Sequence, residues 1–179
     1  SFVCLEIYRK YPEHWFVEHV FGTLLRWNRW FAEHRMNPSG ALCWGSEEIP
    51  VLYGNRWESE GVHATYGAAL ESGLDNSPMY DDIPFNRETN RLELEDVGLT
   101  GLYILDCRSL IELAKIIGRE ADIQELTTQL EKACGGLETL WDEENGIYYN
   151  PSSAENHGRI IDGVREIIEK YDVDGINVD

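Results

Sequence analysis

The sequence predicts an all-α protein built from paired helices, with connecting loops that carry the polar chemistry. Apolar side chains recur at helical spacing along residues 6–35, and again along residues 95–117 and 122–140. Gly118 separates the last two segments at a position typical of a helix C-terminus, so these two helices form a hairpin. A short helix–strand tail, residues 151–179, departs from the all-helical pattern.

The first predicted helix, residues 6–35, is rich in tryptophan. Pro12 suits the first turn of a helix and predicts a break or a start near Tyr11. Trp27 and Trp30 are either core residues or sugar contacts, and the sequence leaves both interpretations open. His14 and His19 are five residues apart and do not share a helix face as an i,i+4 metal pair does, so we expect packing or surface roles.

The next segment holds a loop over residues 37–40 and a short extended piece over residues 42–46. Trp44 precedes a Gly-Ser turn and is a candidate for stacking on a sugar, or else an anchor packed inside its loop. Residues 47–57 contain proline and glycine and are predicted to be irregular, and a helix follows over residues 58–71.

The most informative stretch is residues 71–82, where four carboxylates stand beside Gly, Asn, Ser and Pro. Gly73 and Pro78 end the preceding helix. Asp75 and Asn76 then lie on a turn just past it, where side chains can point into a cleft. Glycoside cleavage requires such an acid to protonate the leaving oxygen, and a second carboxylate that activates water or attacks. The same residue types also form ordinary turns, so a purely structural turn is the alternative.

Residues 83–91 are predicted to form a loop whose Asn and Arg residues rim a polar pocket. Two long helices follow, over residues 95–117 and 122–140, and Gly135-Gly136 is expected to weaken the second one locally. Residues 141–149 are predicted to be a turn that leads into a short extended piece.

The composition limits the possible partners. The chain has 179 residues, enough for one domain with a sizeable core, and a net charge of −18 from 33 acidic and 15 basic residues. This charge argues against nucleic acid or an anionic membrane as a partner. The four cysteines form no CxxC and suit reduced, mostly buried thiols. We expect no metal, no cofactor, no membrane span and a cytoplasmic location.

Several motifs resemble glycoside hydrolase family 63 and its mannosylglycerate-hydrolase-like relatives. The most specific is ESGLDNSP at residues 71–78. Further likenesses follow the order of the family, at residues 24–31, 40–46, 92–99 and 140–150. The resemblance implies a partial (α/α)6 toroid of helix pairs over residues 1–150.

The resemblance also implies roles for individual residues. In that family the aspartate of this motif is the general acid, which puts the role on Asp75. The sugar platform would be Trp27 and Trp44, while the groups that orient sugar hydroxyls or hold Asp75 would be Glu71, Asn76, Tyr80 and Asp81. The general base of the family is a glutamate in later helices, which we expect to lie outside this chain.

The tail is predicted to hold a helix over residues 156–171 and a strand over residues 171–179. It resembles a helix–strand unit of TIM-barrel glycoside hydrolases related to family 10, in which Asp179 would end a barrel strand at the catalytic face. The alternative is an amphipathic helix with a stray strand. We expect a composite chain with domains 1–150 and 151–179 that join near Asn150.

The expected function is that of an inverting glycoside hydrolase on α-glucosides or α-mannosides such as mannosylglycerate, incomplete in this chain and therefore weakly active alone. The alternative is a non-catalytic carbohydrate-binding or structural helical fragment that lacks the base. A retaining TIM-barrel glycosidase, represented only by the tail, would need many more βα units. We also expect self-association through uncovered helix faces, because open helix pairs expose apolar side chains.

Overall fold

The structure is a computed structural model that describes residues 1–47, 64–74, 77–80 and 83–150. Most of the predicted irregular segment 47–57 and the first part of the helix predicted over residues 58–71 lie outside these ranges. The whole of the tail lies outside them as well. The domain boundary near Asn150 and the TIM-barrel likeness of the tail, with Asp179, therefore stay predictions.

Within the described ranges the fold is predominantly helical, which confirms the all-α prediction. The α-helices there are α1 Phe2–Lys10, α2 His14–His34, α3 Thr65–Ser72, α4 Val97–Ile116 and α5 Glu120–Glu138, and a 3-10 turn covers Pro78–Tyr80. Closure of the helix pairs into a toroid stays a prediction.

Two helices, α1 and α2, occupy the segment predicted over residues 6–35. The break falls at Pro12, as expected, because proline has no N–H to donate and its ring clashes with the preceding turn. The N–H of Tyr11 closes α1 by donating to the Ile7 carbonyl at 2.8 Å. Helical structure already begins at Phe2, four residues earlier than the predicted start at residue 6.

The predicted hairpin of α4 and α5 is confirmed. Asp96 caps α4 by accepting a hydrogen bond from the Leu99 N–H at 2.7 Å, and Gly118 follows α4 with a φ of 67°. Helices α1 and α2 pack on α4. We call these four helices the helical region; their shared core consists of Leu5, Val17, Phe21, Leu25, Leu110, Leu113, Ala114 and Leu126.

A second unit, the acid-motif corner, consists of residues 35–46, α3, the 3-10 turn and a hairpin of β1 Phe85–Asn86 with β2 Arg91–Leu92. The prediction of a loop over residues 83–91 missed these two strands, which are only two residues long, but residues 83–84 and the turn at 87–90 fit it. The side-chain oxygen of Asn86 accepts hydrogen bonds from the N–H groups of Glu88 and Thr89, which stabilises the turn. Strands this short leave no alternating pattern in a sequence.

Helix α5 packs closely against the loop of the acid-motif corner, and both sides of the contact carry a glycine. A Cβ on Gly136 would lie 2.1 Å from the Ala41 nitrogen, and a Cβ on Gly40 would lie 2.1 Å from the Lys132 carbonyl oxygen. Both contacts are to backbone, which cannot move aside as a flexible side chain can. The helix runs through the Gly135-Gly136 pair without a break, and Gly136 is the position that lets the loop approach.

A second short hairpin follows α5, formed by β3 Trp141–Asp142 and β4 Ile147–Tyr148. It matches the turn and extended piece that the sequence predicts there. Beyond it, the Asn150 side chain accepts a hydrogen bond from the Val97 N–H at 2.7 Å and donates to Asp96 at 3.1 Å. These bonds tie the chain after the hairpin to the first turn of α4.

The surface of the helical region keeps a set of exposed apolar side chains on α1 and α4, namely Phe2, Val3, Ile7, Leu102 and Leu105. Self-association across this face stays a prediction. All four cysteines are free, as predicted, and Cys43 and Cys107 are buried. Among the described residues, no helix has both the length and the apolarity to cross a membrane.

Candidate active site

The acid motif begins at a well-defined helix end. Gly73 adopts a φ of 75° directly after α3, a left-handed conformation that suits glycine, and thereby terminates the helix. The Ser72 hydroxyl donates to the Ala69 carbonyl at 2.7 Å and accepts from the Leu74 N–H at 3.0 Å. The predicted end of this helix is thus confirmed. Asp75 and Asn76, which were predicted to follow on a turn, lie outside the described residues, as does Asp81.

Glu71, in the last turn of α3, is held by three donor contacts from the acid-motif corner. Arg35 Nε lies 2.9 and 3.1 Å from the two carboxylate oxygens, and the Gly45 N–H donates to Oε2 at 3.0 Å. The side chain of Glu71 keeps 23% of its surface exposed. The roles predicted for Glu71, to orient a sugar hydroxyl or to hold Asp75, stay predictions.

The partner of Glu71, Arg35, is a residue that sequence reasoning missed. Its side chain is only 2% exposed, and its guanidinium lies over the Trp30 ring with 4.5 Å from Cζ to the ring centroid. Nη1 donates to Glu47 at 2.9 Å and to the His34 carbonyl at 3.0 Å. An arginine at the end of an amphipathic helix usually points to solvent, so no sequence pattern signals its burial.

The two predicted platform residues, Trp27 and Trp44, line one pocket between α2, α4 and the start of α1. The pocket has a volume of about 290 Å³. We call it the aromatic pocket; its lining is Ser1, Phe2, Trp27, Asn28, Phe31, Trp44, Leu99, Leu102, Tyr103, Leu105 and Asp106. Trp27 is 62% exposed, and its ring stacks on Trp30 at 5.9 Å between centroids. An exposed indole face beside a concave wall is suited to stacking on a sugar ring.

The aromatic pocket also has a polar side that the sequence did not reveal. Asn28 is buried, and its Nδ2 donates to Asp106 at 2.9 Å. The Tyr103 hydroxyl donates to the Gln129 side-chain oxygen and lies 3.3 Å from Asn28 Oδ1. Burial raises the pKa of Tyr103 and also that of Cys107, which lies beside Asn28. Both groups therefore stay protonated near neutral pH, and Asp106 supplies the carboxylate of the lining.

Tyr80, the other described residue of the predicted site, lies elsewhere. It is 3% exposed and packs with Ala68, Ile83 and Leu92 in the core of the acid-motif corner, and this burial raises its pKa. It does not line the aromatic pocket. Trp44 connects the two places, since it packs against this cluster and against the cluster around Tyr103. Contact between Tyr80 and a sugar stays a prediction.

Over the part of the chain that the structure describes, no group of three or more His, Cys, Asp or Glu side chains is arranged to hold a metal ion. The side chains that line the aromatic pocket offer aromatic, amide and carboxylate groups to a ligand. Such a set matches the apolar faces and hydroxyl edges of a sugar.

Comparison with known proteins gives one match to a family. Residues 3–169 match the family model of the mannosylglycerate hydrolase MGH1-like glycoside hydrolase domain. The match runs on past residue 150, where the sequence predicted a change of domain, and gives no support to a TIM-barrel likeness of the tail. A search of curated proteins finds no match to this chain.

Proposed function

Because the chain belongs to the MGH1-like glycoside hydrolase family, we propose that it acts on α-glucosides or α-mannosides, such as mannosylglycerate, through an inverting reaction with Asp75 as general acid. The proposal rests chiefly on the match over residues 3–169, which includes the acid motif at residues 71–78.

The geometry around Glu71 supports the proposal. This residue stands four positions before Asp75, and its carboxylate accepts a hydrogen bond from Gly45 at 3.0 Å. Gly45 directly follows Trp44, which lines the aromatic pocket. The start of the acid motif is thereby linked through Gly45 to Trp44, a residue suited to sugar stacking, and this link supports a sugar site beside the motif.

In the proposed reaction, Asp75 is protonated in the resting state and donates its proton to the glycosidic oxygen as the bond to the anomeric carbon breaks. A second carboxylate accepts a proton from a water molecule that attacks the opposite face of the sugar. For inversion the two carboxyl groups stand roughly 6.5–9.5 Å apart, which leaves room for that water. By resemblance to the family, this base is a glutamate of later helices.

The test uses the protein together with the later helices that carry the base, and compares its unaltered form with Asp75→Asn on a panel of α-glucosides, α-mannosides and mannosylglycerate. We expect a loss of about 10²–10⁴-fold in kcat, because asparagine has no proton to donate. Proton NMR of the first product anomer, taken before mutarotation, checks inversion. Glu144→Gln, in the exposed turn of the β3–β4 hairpin, is the matched charge control and should keep full activity.

A substrate that needs no acid separates the general acid from other roles of Asp75. The fluoride of a glycosyl fluoride departs without strong acid assistance, so Asp75→Asn should be far less impaired on it than on an alkyl glycoside. Equal loss on both substrates would argue against a general acid. Sugar binding that is unchanged by Asp75→Asn, without turnover in any form of the chain, would favour the non-catalytic carbohydrate-binding role.

A further inference from the structure

We propose that Arg35 is a positioning residue for the glycosidase reaction, acting through Glu71, which stands four positions before the general acid Asp75 in the chain. This inference rests on the proposed function. It assigns to Arg35 the task of fixing the last turn of α3 against the Trp44 wall of the aromatic pocket.

The first observation is that Arg35 is a buried cation held by Glu71, Glu47 and the end of α2. Its side chain is 2% exposed, with Nε directed at Glu71 and Nη1 at Glu47 and the His34 carbonyl. A guanidinium taken out of water must be paired and hydrogen-bonded, and its planar fork fixes the orientation of each partner. The position of Glu71 is therefore determined by a rigid group and not by a mobile surface chain.

The second observation is that Gly45 completes the same arrangement. A Cβ there would lie 2.8 Å from Arg35 Cζ and 2.4 Å from the Asn90 carbonyl oxygen, so only glycine allows this approach. The Gly45 N–H then reaches Glu71 Oε2 at 3.0 Å. Arg35, Glu71 and Gly45 thus join the end of α2, the end of α3 and the loop that bears Trp44.

The third observation is that α2 carries another arginine paired with carboxylates, Arg29, six positions before Arg35. Arg29 pairs with Glu125 at 2.6 Å and Asp122 at 3.1 Å, but its side chain is 44% exposed and its partners lie on α5. Arg29 does not line the aromatic pocket and is not part of the acid-motif corner. If the arginine–carboxylate pairs of Arg29 and Arg35 served only stability, neither replacement would change kcat on one class of substrate more than on another.

The experiment compares Arg35→Lys with Arg29→Lys, because lysine keeps the charge and loses the planar fork. We expect Arg35→Lys to lower kcat on an alkyl glycoside by about 10–100-fold with a change in KM of less than about threefold, since misplacing a catalytic group by about 1 Å costs this much. Arg29→Lys should stay within about twofold of the unaltered chain. Circular dichroism confirms that both variants are folded.

A glycosyl fluoride gives the readout that a merely structural role would not change. Because Arg35 acts through the position of the acid, the kcat loss of Arg35→Lys should shrink to less than about threefold on the fluoride, which needs little acid help. Equal losses on the two substrates, or no loss on either, would overturn the proposal. Should Arg35→Lys fail to fold, Glu71→Gln tests the same contact, with the same expected pattern and the same contrary outcomes.

An NMR measurement separates failure of this inference from failure of the proposed function. In ¹⁵N–¹H spectra, Arg35→Lys should raise the hydrogen-exchange rate of the Gly45 amide by about tenfold or more, whereas Arg29→Lys should leave it unchanged. If the protein together with the later helices that carry the base hydrolyses no glycoside, the proposed function is overturned and, with it, the role of Arg35 in positioning a reaction. An unchanged Gly45 amide in Arg35→Lys would overturn the Arg35 contact itself, whatever the activity.

Discussion

The helical region and the acid-motif corner are stabilised in different ways. In the helical region, long apolar faces of α1, α2, α4 and α5 meet, and the residues of their core are nearly all aliphatic or aromatic. In the acid-motif corner the elements are an eight-residue helix, a 3-10 turn and two-residue strands. These short pieces share only a small apolar core around Tyr80, and individual polar contacts join them, such as Arg35 with Glu71 and Arg91 with the Met36 carbonyl at 2.6 Å.

This difference separates the interactions that stabilise the fold from those that orient individual groups near the candidate site. Burial of apolar area is non-directional and sums over many contacts, so it stabilises the helical region without fixing any single polar atom. Hydrogen bonds to charged groups are directional and few, so they set the geometry of the acid-motif corner. We expect substitutions in the first region to act on global stability, and substitutions in the second to act on local order and catalysis.

The largest expected effect on stability lies in the helical region. Leu110 is fully buried in its core, and Leu110→Ala should lower the free energy of unfolding by about 3 kcal/mol through lost burial and the cavity left behind. Urea unfolding measures this loss. Val3→Ala, at a side chain of the same region that is 66% exposed, should stay within about 0.5 kcal/mol. A loss below about 1 kcal/mol at Leu110 would contradict the proposed basis of stability for this region.

The junction between the two regions should respond with opposite signs at neighbouring glycines. Gly136→Ala forces a Cβ to 2.1 Å from the Ala41 nitrogen and should destabilise the chain by about 2 kcal/mol. Gly135→Ala meets no atom within 4 Å and should stabilise α5 by up to about 1 kcal/mol, because alanine has the higher helix propensity. Thermal unfolding of both variants measures the two changes. The same sign at both positions would mean that α5 and residues 40–41 do not approach as described.

A smaller effect is the pH dependence of the free energy of unfolding that comes from the buried Cys43 thiol of the acid-motif corner. Burial, together with the nearby Glu95 carboxylate, raises the pKa of Cys43 from 9.0 to about 12. A raised folded pKa means that the contribution to stability is complete below pH 9.0 and is lost as the pH rises toward 12. Between pH 8 and 10 the free energy of unfolding should fall by about 1.4 kcal/mol on account of this group.

The matched variant for the pH dependence is Cys43→Ala, which removes the titrating thiol. Its loss of stability between pH 8 and 10, followed by urea unfolding, should be smaller by about the same 1.4 kcal/mol. Cys107→Ala provides the comparison in the helical region, where burial also raises the pKa of the thiol. An identical pH dependence in Cys43→Ala and the unaltered chain would show that the Cys43 thiol ionises as easily in the folded state as in the unfolded one.

Much of the helical region could be predicted from the sequence. The recurrence of leucine and isoleucine along α4 and α5 predicts both helices, Gly118 predicts their separation, and Pro12 predicts the break between α1 and α2. These signals are local: side-chain periodicity and the conformations of proline and glycine depend on neighbours within one or two turns of the same helix. The motif at residues 71–78 likewise indicated the family, which the match over residues 3–169 shows.

The arrangement of the candidate site was decided by the tertiary structure alone. The sequence named Trp27 and Trp44 as platform residues, but only packing brings them to one pocket with Asn28, Tyr103 and Asp106. The burial of Arg35 against Glu71, and the approach of Gly45 to both, join residues 10 to 36 positions apart in the chain. Such contacts leave no periodic trace, because each depends on the close approach of segments that only the packed fold brings together.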